Sequence, residues 1–408
     1  MAEIRAVLVV LLGLAGACRC DAQSAPSVDV RFATFNVEDV RRSDIEDPSH
    51  PRLRRIASII RDLRPNVILL NEIAYDGAGS PGFKDGDEPG QNAARFVANF
   101  LAADGPDDGL IRYRAFMAPV NTGMFSGHDL DNDGRTVSTF PMPEPARADG
   151  APARQTADQR AYGNDCWGFG TFPGQYGMAV LVDERLEILV DKVRTFRLLP
   201  WDYVPGAFVP RVPETNEPWY NKEEWAAFRL SSKSHWDVPI RLPNGAVVHA
   251  LCSHPTPPAF DGPEMRNKKR NHDEIRFWAD YLDNAAYVVD DTSTPGGLEP
   301  EAHFVILGDL NADPVDGDSF KNPIQRNLLS NPRVNANVVP ASDLAIEGLD
   351  PTDTSMFRLR VDYVLPSKTV QSLGSGVWRA NPQPRETPFP SDHFPVWVDV
   401  RVPAPRGP

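Results

Sequence analysis

FVILGDLNADP, residues 304–314, decides how the rest of the chain is read. Its apolar run, residues 304–307, predicts a short buried strand. Gly308 breaks the run, Asp309 and Asn311 follow two residues apart, and Asp313-Pro314 is a turn signal. In extended chain, residues i and i+2 point to the same side. Asp309 and Asn311 therefore face one pocket at the end of a buried strand, where a hard metal ion or an attacking water can be held. A strand ending in polar residues and a turn is ordinary. The motif gains meaning only from what other strands bring beside it.

Several others end in matching chemistry. VDVRFATFNV, residues 28–37, alternates as a strand and carries Asn36 near its end. Leu53, Ile56, Ile59, Ile60 and Leu63 then recur at helical spacing, with Pro51 suited to the first turn. The next apolar strand, residues 67–70, runs into Asn71-Glu72. Asn244-Gly245 predicts a hairpin between residues 238–242 and 246–252, and the second arm runs into Ser253-His254. FRLRVDYVL, residues 357–365, predicts a late strand with Asp362 inside it, and a buried Asp needs a partner. Asp392 and His393 precede the alternating Phe394, Val396, Val398 and Val400. Carboxylates and an amide oxygen suit Mg²⁺ or Mn²⁺. Histidines stabilise phosphoryl oxygens or move protons.

FNVE (Asn36), LLNEI (Glu72), QYGMAVL (Tyr176), CSHP (His254), GDLNADP (Asp309, Asn311), RVDYVLPS (Asp362) and SDHFPV (Asp392, His393) occur in that order. Together they resemble the endonuclease/exonuclease/phosphatase superfamily over residues 28–400. That group includes DNase I-like nucleases, abasic-site endonucleases, inositol polyphosphate phosphatases and bacterial sphingomyelinases. The resemblance implies an α/β fold, a four-layered α/β sandwich with two packed mixed β-sheets, in one catalytic domain over residues 28–402. It implies Glu72 as the main metal ligand, with Asn36 and Asp392 near the ion. Asp309 would orient or deprotonate the attacking water, and Asn311 would position that water or the phosphate. His393 would contact the scissile phosphate, with Asp362 setting its tautomer and charge. His254 would be a second phosphate-side histidine and proton donor, and Tyr176 would lie near the site. The implied reaction is in-line attack of water on a phosphate ester, helped by Mg²⁺ or Mn²⁺ and fixed donors. A nuclease acting on DNA or RNA is the first expectation. A phosphomonoesterase or a phospholipase/sphingomyelinase-like enzyme is the alternative on the same site. An inactive calcium-stabilised binding protein is disfavoured by the intact Asn/Glu/Asp/His set.

Two insertions, near residues 121–165 and 198–236, enlarge the family's usual frame. The first holds Asp129, Asp131, Asp133 and Gly134, which resemble the first half of a calcium-binding loop. Phe140 stands where the twelfth-position acid would be. Structural Ca²⁺ or an acidic surface turn are both open. The aromatic-rich second insertion either covers the pocket or packs against the body, with packing favoured. Its Lys233-Ser234-His235 segment could line a cleft, with His235 as the candidate group.

With 408 residues and 41% hydrophobic content, a large core is available. A net charge of −14 disfavours the broad basic surface of a nonspecific nucleic-acid binder. Arg266, Lys268, Lys269 and Arg270 open a helix expected over residues 264–282, and either meet phosphate or form a solvated helix start. Cys166 and Cys252 are a disulfide pair or two isolated buried thiols.

Residues 1–22 read as an export signal: Arg5, an apolar run at 6–14, then small residues before Cys18. The run is short for a bilayer span. Cleavage near Gln23 or, in lipoprotein fashion, before Cys18 are both open. A tether at 23–27 and a tail at 403–408 complete the chain. The expectation is an exported protein, periplasmic, extracellular or lipid-anchored in a bacterial envelope, with no transmembrane segment.

Overall fold

The structure, a computed structural model, describes residues 26–102 and 111–405. The expected export leader and most of the tether lie outside these residues. Among the described residues, no helix is long and apolar enough to cross a membrane.

The strands are β1 (Val28–Val40), β2 (Val67–Ile73), β3 (Tyr113–Phe116), β4 (Met178–Asp183), β5 (Glu187–Ile188), β6 (Arg194–Thr195), β7 (His235–Arg241), β8 (Val247–Ser253), β9 (His303–Asp309), β10 (Asp362–Pro366), β11 (Gln371–Val377) and β12 (Val396–Val402). The α-helices are α1 (Arg42–Ile45), α2 (Pro51–Leu63), α3 (Asn92–Phe96), α4 (Ala157–Asn164), α5 (Lys222–Ala227) and α6 (Arg266–Leu282). One sheet has the order β11-β12-β1-β2-β4-β3, the other β10-β9-β8-β7-β5, with β6 also paired to β7. Both sheets are mixed: β1 runs parallel to β2 and β8 to β9, while the other pairs are antiparallel.

The period-two alternation of the strands builds the layers. Phe32, Leu69, Val180 and Val398 of the first sheet meet Trp236, Val248, Ala250 and Leu307 of the second in one buried core. The opposite faces carry Phe35, Leu70 and Leu181 against Leu53, Ile56 and Ile60 of α2. On the far side, Leu251, Phe304 and Ile306 pack against Phe277, Trp278 and Tyr281 of α6. The result is the expected helix–sheet–sheet–helix sandwich. Each fully buried large apolar side chain contributes roughly 1.5–3 kcal/mol relative to exposure.

The topology gathers the candidate residues. The ends of β1, β2, β8 and β9 and the starts of β10 and β12 share one rim, because β10 runs antiparallel to β9 and β12 to β1. Asp362 and Asp309 are direct register partners.

Local structure departs from the sequence reading in several places. β9 does not end at Gly308 but continues to Asp309. At Gly308 (φ 149°), a Cβ would lie 2.0 Å from the Ser253 carbonyl oxygen, so glycine lets β9 pass close to β8. β10 starts at Asp362, which places that residue at the strand's edge of the rim rather than inside it. Residues 187–195 form two short pieces, β5 and β6, separated by a 3₁₀ turn at Val190–Lys192. From Asn92 the chain is α-helical only to Phe96 and then widens to a π-turn, Val97–Leu101. Trp201, Tyr220, Phe228 and Leu230 of the second insertion are buried with α6, so most of its aromatics pack rather than line a cleft. Cys166 and Cys252 are separate buried thiols.

His235 is likewise core rather than cleft. It is 1% exposed; its Nδ1 accepts from Ser231 Oγ at 2.6 Å and its Nε2 donates to the Glu274 carbonyl at 2.9 Å. Burial holds its pKa down to about 4. An unfolded histidine titrates near 6.5, so between about pH 6.5 and 4 the unfolded chain binds the proton and the folded chain refuses it. Stability from this group is therefore complete above pH 6.5 and is lost as pH falls toward 4, by roughly 3 kcal/mol. Urea unfolding across that range is expected to show the decline, and His235→Gln to flatten it by about this amount. An unchanged pH slope in the variant would contradict the assignment.

Candidate active site

Asp309, 1% exposed, is the centre of the rim. Asn36 Nδ2 donates to Asp309 Oδ2 and to Glu72 Oε1, both at 3.0 Å. Asn36 thus ties the ends of β1, β2 and β9 together, and its own oxygen accepts from the Glu38 amide at 3.0 Å. Glu72 Oε2 accepts from the Asp39 amide at 3.0 Å. That contact exists because β1 shifts register between Asn36 and Val40, with Glu38 (φ 53°) and Asp39 (φ 47°) left-handed. Glu72 (φ 67°), Tyr176 (φ 55°) and Asn311 (φ 53°) are left-handed as well. Such conformations cost energy in non-glycine residues and cluster where surrounding structure enforces a working geometry. Beneath them, Asn71 Oδ1 accepts from Thr34 Oγ1 at 3.1 Å and from the Asp309 amide at 3.2 Å, locking the two sheets together.

The other side of Asp309 is histidine-rich. His393 Nδ1 lies 2.8 Å from Asp362 Oδ2, and its Nε2 lies 3.8 Å from Asp309 Oδ2 and 3.9 Å from Asp392 Oδ1. Burial opposes a charged imidazole, but the carboxylates of Asp362 and Asp309 outweigh it and hold His393 well above the usual histidine range. Burial likewise opposes the Asp309 charge. His393 and the hydrogen bonds from His254 and Asn36 overcome that and hold Asp309 below the usual carboxylate range. His254 Nε2 lies 3.4 Å from Asp309 Oδ2, while its buried Nδ1 has no partner. Burial, and then the charge of Lys233, push His254 down to about 4. Asn311 donates its amide to Asp309 Oδ1 at 2.9 Å and its Nδ2 to the Pro255 carbonyl at 3.1 Å. The half-buried Tyr176 accepts at its hydroxyl from Gln155 Nε2 at 2.7 Å. Asp392 stays half-exposed at the mouth.

The donor set fits a divalent cation. Burial, and then the charge of Asp392, push Glu72 up to about 7. A carboxylate held this way lacks a counter-charge that a cation would supply. Asp309, Asp362 and His393 also offer ligand atoms within 4.8 Å of one another. In that group the His393–Asp362 hydrogen bond already occupies one nitrogen, and the imidazolium itself supplies the positive charge. A second acidic group, Asp129, Asp131 and Asp165, has its ligand atoms within the same span. Asp133 stands outside it, its carboxylate accepting from the Arg135 amide at 2.8 Å. Asp165 comes instead from the end of α4 and is 1% exposed.

The Arg266–Arg270 cluster is used elsewhere. Arg270 is buried and donates to the carbonyls of Leu230, Trp167 and Arg229. Arg266 donates to the Leu130 carbonyl, Lys269 to the Glu264 carbonyl, and Lys268 pairs with Asp318. Two contributors to the rim were not singled out from the sequence. Asp39 follows Asn36 closely; it accepts from Gln175 Nε2 at 3.0 Å and pairs with Arg41 at 2.6 Å. Lys233 lies near His254, on which its charge acts, and only its place in a polar segment hinted at it.

A sequence profile described as the Endonuclease/Exonuclease/phosphatase family matches residues 33–393. No protein among those with curated descriptions matches. Solved structures of low identity are similar to this chain. An endonuclease/exonuclease/phosphatase from Beutenbergia cavernae DSM 12333 is 19% identical, covering 93% of this chain and 73% of its own, with a TM-score of 0.48. A family protein from Leptotrichia buccalis C-1013-b is 13% identical, covering 90% and 98%, with a TM-score of 0.47. One from Bacteroides vulgatus is 12% identical, covering 92% and 99%, with a TM-score of 0.42. The sandwich, the rim of strand-end acids and histidines and the profile match over most of the chain make this protein a member of the endonuclease/exonuclease/phosphatase family, with the DNase I-like fold and a candidate metal-binding phosphoesterase site.

Proposed function

We propose that this protein hydrolyses phosphodiester bonds with the help of a divalent cation, acting most directly as a nuclease. The observation that carries this reading is the unbroken series Glu72–Asn36–Asp309–His393–Asp362. It sets an acid-rich cation side and a cationic phosphate side on either flank of one buried carboxylate. Mg²⁺ or Mn²⁺ held by Glu72 and Asp392, with Asn36 fixing Glu72, would supply Lewis-acid charge neutralisation at the phosphoryl oxygens. Asp309, hydrogen-bonded on both oxygens, orients the attacking water and takes its proton as the new O–P bond forms and the opposite ester P–O bond breaks, the leaving oxygen taking up a proton from solvent. Asn311 fixes Asp309 through its amide. His393, held as imidazolium by Asp362, stabilises the charge that grows on the phosphorane oxygens. His254, neutral at pH 7, positions Asp309, so the cationic role falls to His393 rather than to both histidines. Tyr176 lies near Asp39 and Glu72.

The charge balance favours diesters. Glu38, Asp39, Glu72, Asp309, Asp362 and Asp392 crowd the rim, so a dianionic monoester meets more repulsion than a monoanionic diester. A panel of plasmid and single-stranded DNA, RNA, bis- and mono-p-nitrophenyl phosphate, sphingomyelin and inositol phosphates tests this. Each substrate is assayed with Mg²⁺, Mn²⁺, Ca²⁺ or chelator. Diester and nucleic-acid cleavage that stops on chelation is expected. Selective hydrolysis of monoesters or of sphingomyelin would replace the nuclease reading with the corresponding alternative.

The same reading includes export directed by residues 1–22, to a periplasmic, extracellular or lipid-anchored site, and one catalytic domain over residues 28–402. It also includes structural Ca²⁺ at Asp129 and Asp131. There Asp165 takes the place that Asp133, and the missing acid at Phe140, would have filled. Metal-stripped protein is expected to melt at least ~3 °C higher when Ca²⁺ is added in excess. Equal melting temperatures would count against that site.

A further inference from the structure

We infer that Lys233 is a substrate-binding residue, whose ammonium group completes its hydrogen bonds on a non-bridging oxygen of the scissile phosphate. The inference rests on the phosphoesterase reading and adds a group to it.

The fold puts Lys233 at the rim. His235 of β7 pairs with Ser253 of β8 in antiparallel register. Continuing that register by two places sets Lys233 opposite Pro255, just past His254. Its backbone is fixed, since the Lys233 carbonyl accepts from the Asn121 amide at 2.9 Å. The neighbouring Ser232 amide donates to Glu274 Oε1 at 2.6 Å. The residue is 5% exposed, yet its Nζ makes one long hydrogen bond, 3.5 Å to the Pro255 carbonyl. No further bond or ion pair to a described residue accompanies it. Burial disfavours its charge and the carboxylates of Glu274, Glu72 and Asp309 support it, so three N–H donors with one distant acceptor leave the buried ammonium poorly satisfied.

The single contact shows where the unused donors lie. The Pro255 carbonyl also accepts from Asn311 Nδ2 at 3.1 Å, so Lys233 and Asn311 converge on one oxygen. Asn311 is hydrogen-bonded to Asp309, and Pro255 directly follows His254. Lys233 therefore stands beside Asn311 and the His254 loop, with Glu72 and Asp309 both near enough to support its charge. Glu274, a nearby acid, is spent on the Ser232 and Thr256 amides at 2.6 Å each. A phosphoryl oxygen is the acceptor whose charge and position fit the remaining donors. An ammonium in that place also offsets the surplus of carboxylates that a phosphate must approach.

The test compares wild type, Lys233→Met and Lys233→Arg on bis-p-nitrophenyl phosphate, with inorganic phosphate as competitor and ethylamine as a rescue agent. Lys233→Met is expected to lose on the order of 100-fold in kcat/KM. Phosphate inhibition should weaken at least about tenfold, with metal affinity unchanged. Lys233→Arg should retain part of the activity, and ethylamine should restore part of it to the Met variant. A purely structural lysine would move none of the phosphate-competition or amine-rescue readouts. Lys233→Met with wild-type kcat/KM and wild-type phosphate inhibition would overturn the inference. If Lys233→Met does not fold, Lys233→Arg decides: folded protein with unchanged phosphate inhibition and KM contradicts the role, and a shift in either supports it. Wild-type protein that hydrolyses no phosphate ester would instead overturn the reading of the reaction itself.

Discussion

Asp309→Asn is expected to lower phosphodiester hydrolysis by on the order of 10³- to 10⁴-fold while the protein stays folded. Asp309 is bound on every side: Asn36 Nδ2 at 3.0 Å, the Asn311 amide at 2.9 Å, His254 at 3.4 Å and His393 at 3.8 Å. Asparagine keeps the shape and can keep the bond to the Asn311 amide. It must then aim its own NH₂ at Asn36 Nδ2 and His254 Nε2, which are donors. It also removes the charge that helps to hold His393 protonated. The loss thus reaches the water, the proton acceptor and the imidazolium together. The checks are single-turnover rates and a thermal melt on the purified variant. Wild-type turnover in a correctly folded Asp309→Asn protein would remove Asp309 from the chemistry.

His393→Ala is expected to cost on the order of 10²- to 10³-fold in kcat, with a loss of stability as well. The ring is 5% exposed and Asp362 is 1% exposed, so the variant leaves a buried carboxylate without its partner. Burial already pushes Asp362 up to about 6 beside the imidazolium. Without it, Asp362 rises further and takes a proton near neutral pH. Removing that carboxylate too, in the double variant His393→Ala/Asp362→Asn, should recover much of the stability and none of the activity. A double variant that regains activity, or a single variant with wild-type kcat, would contradict the imidazolium role.

The site was legible in sequence because its chemistry sits at strand ends. Asn36, Glu72, Asp309 and the Asp392-His393 pair each adjoin an apolar run, and a run's end can be read locally. Helix α2 was equally plain, from five apolar residues at one spacing. What escaped depends on register or on long-range closure. Lys233 reaches the rim only because β7 and β8 pair in one particular register, and no local pattern specifies that. Asp165 joins Asp129 and Asp131 from the far end of an insertion, where a loop motif cannot see it. The Arg266–Arg270 cluster was open between a phosphate site and a solvated helix start; its charges instead go to backbone carbonyls and Asp318 from several distant loops, which no local pattern specifies. Gly308 read as a strand breaker because in isolation glycine is one; the neighbouring carbonyl of Ser253 gives it another purpose. Residues 187–195 make two strand pieces, both paired to β7, because the chain turns at Val190–Lys192 between them.

The central claim is metal-assisted attack of water on a phosphodiester at the rim centred on Asp309. Its most direct test is hydrolysis of bis-p-nitrophenyl phosphate by metal-stripped wild-type protein titrated with Mg²⁺ or Mn²⁺, with Asp309→Asn in parallel. The account predicts turnover that appears on metal addition, vanishes on chelation and is absent from the variant. Turnover that ignores both the metal and Asp309, or no turnover with any divalent cation, would contradict it.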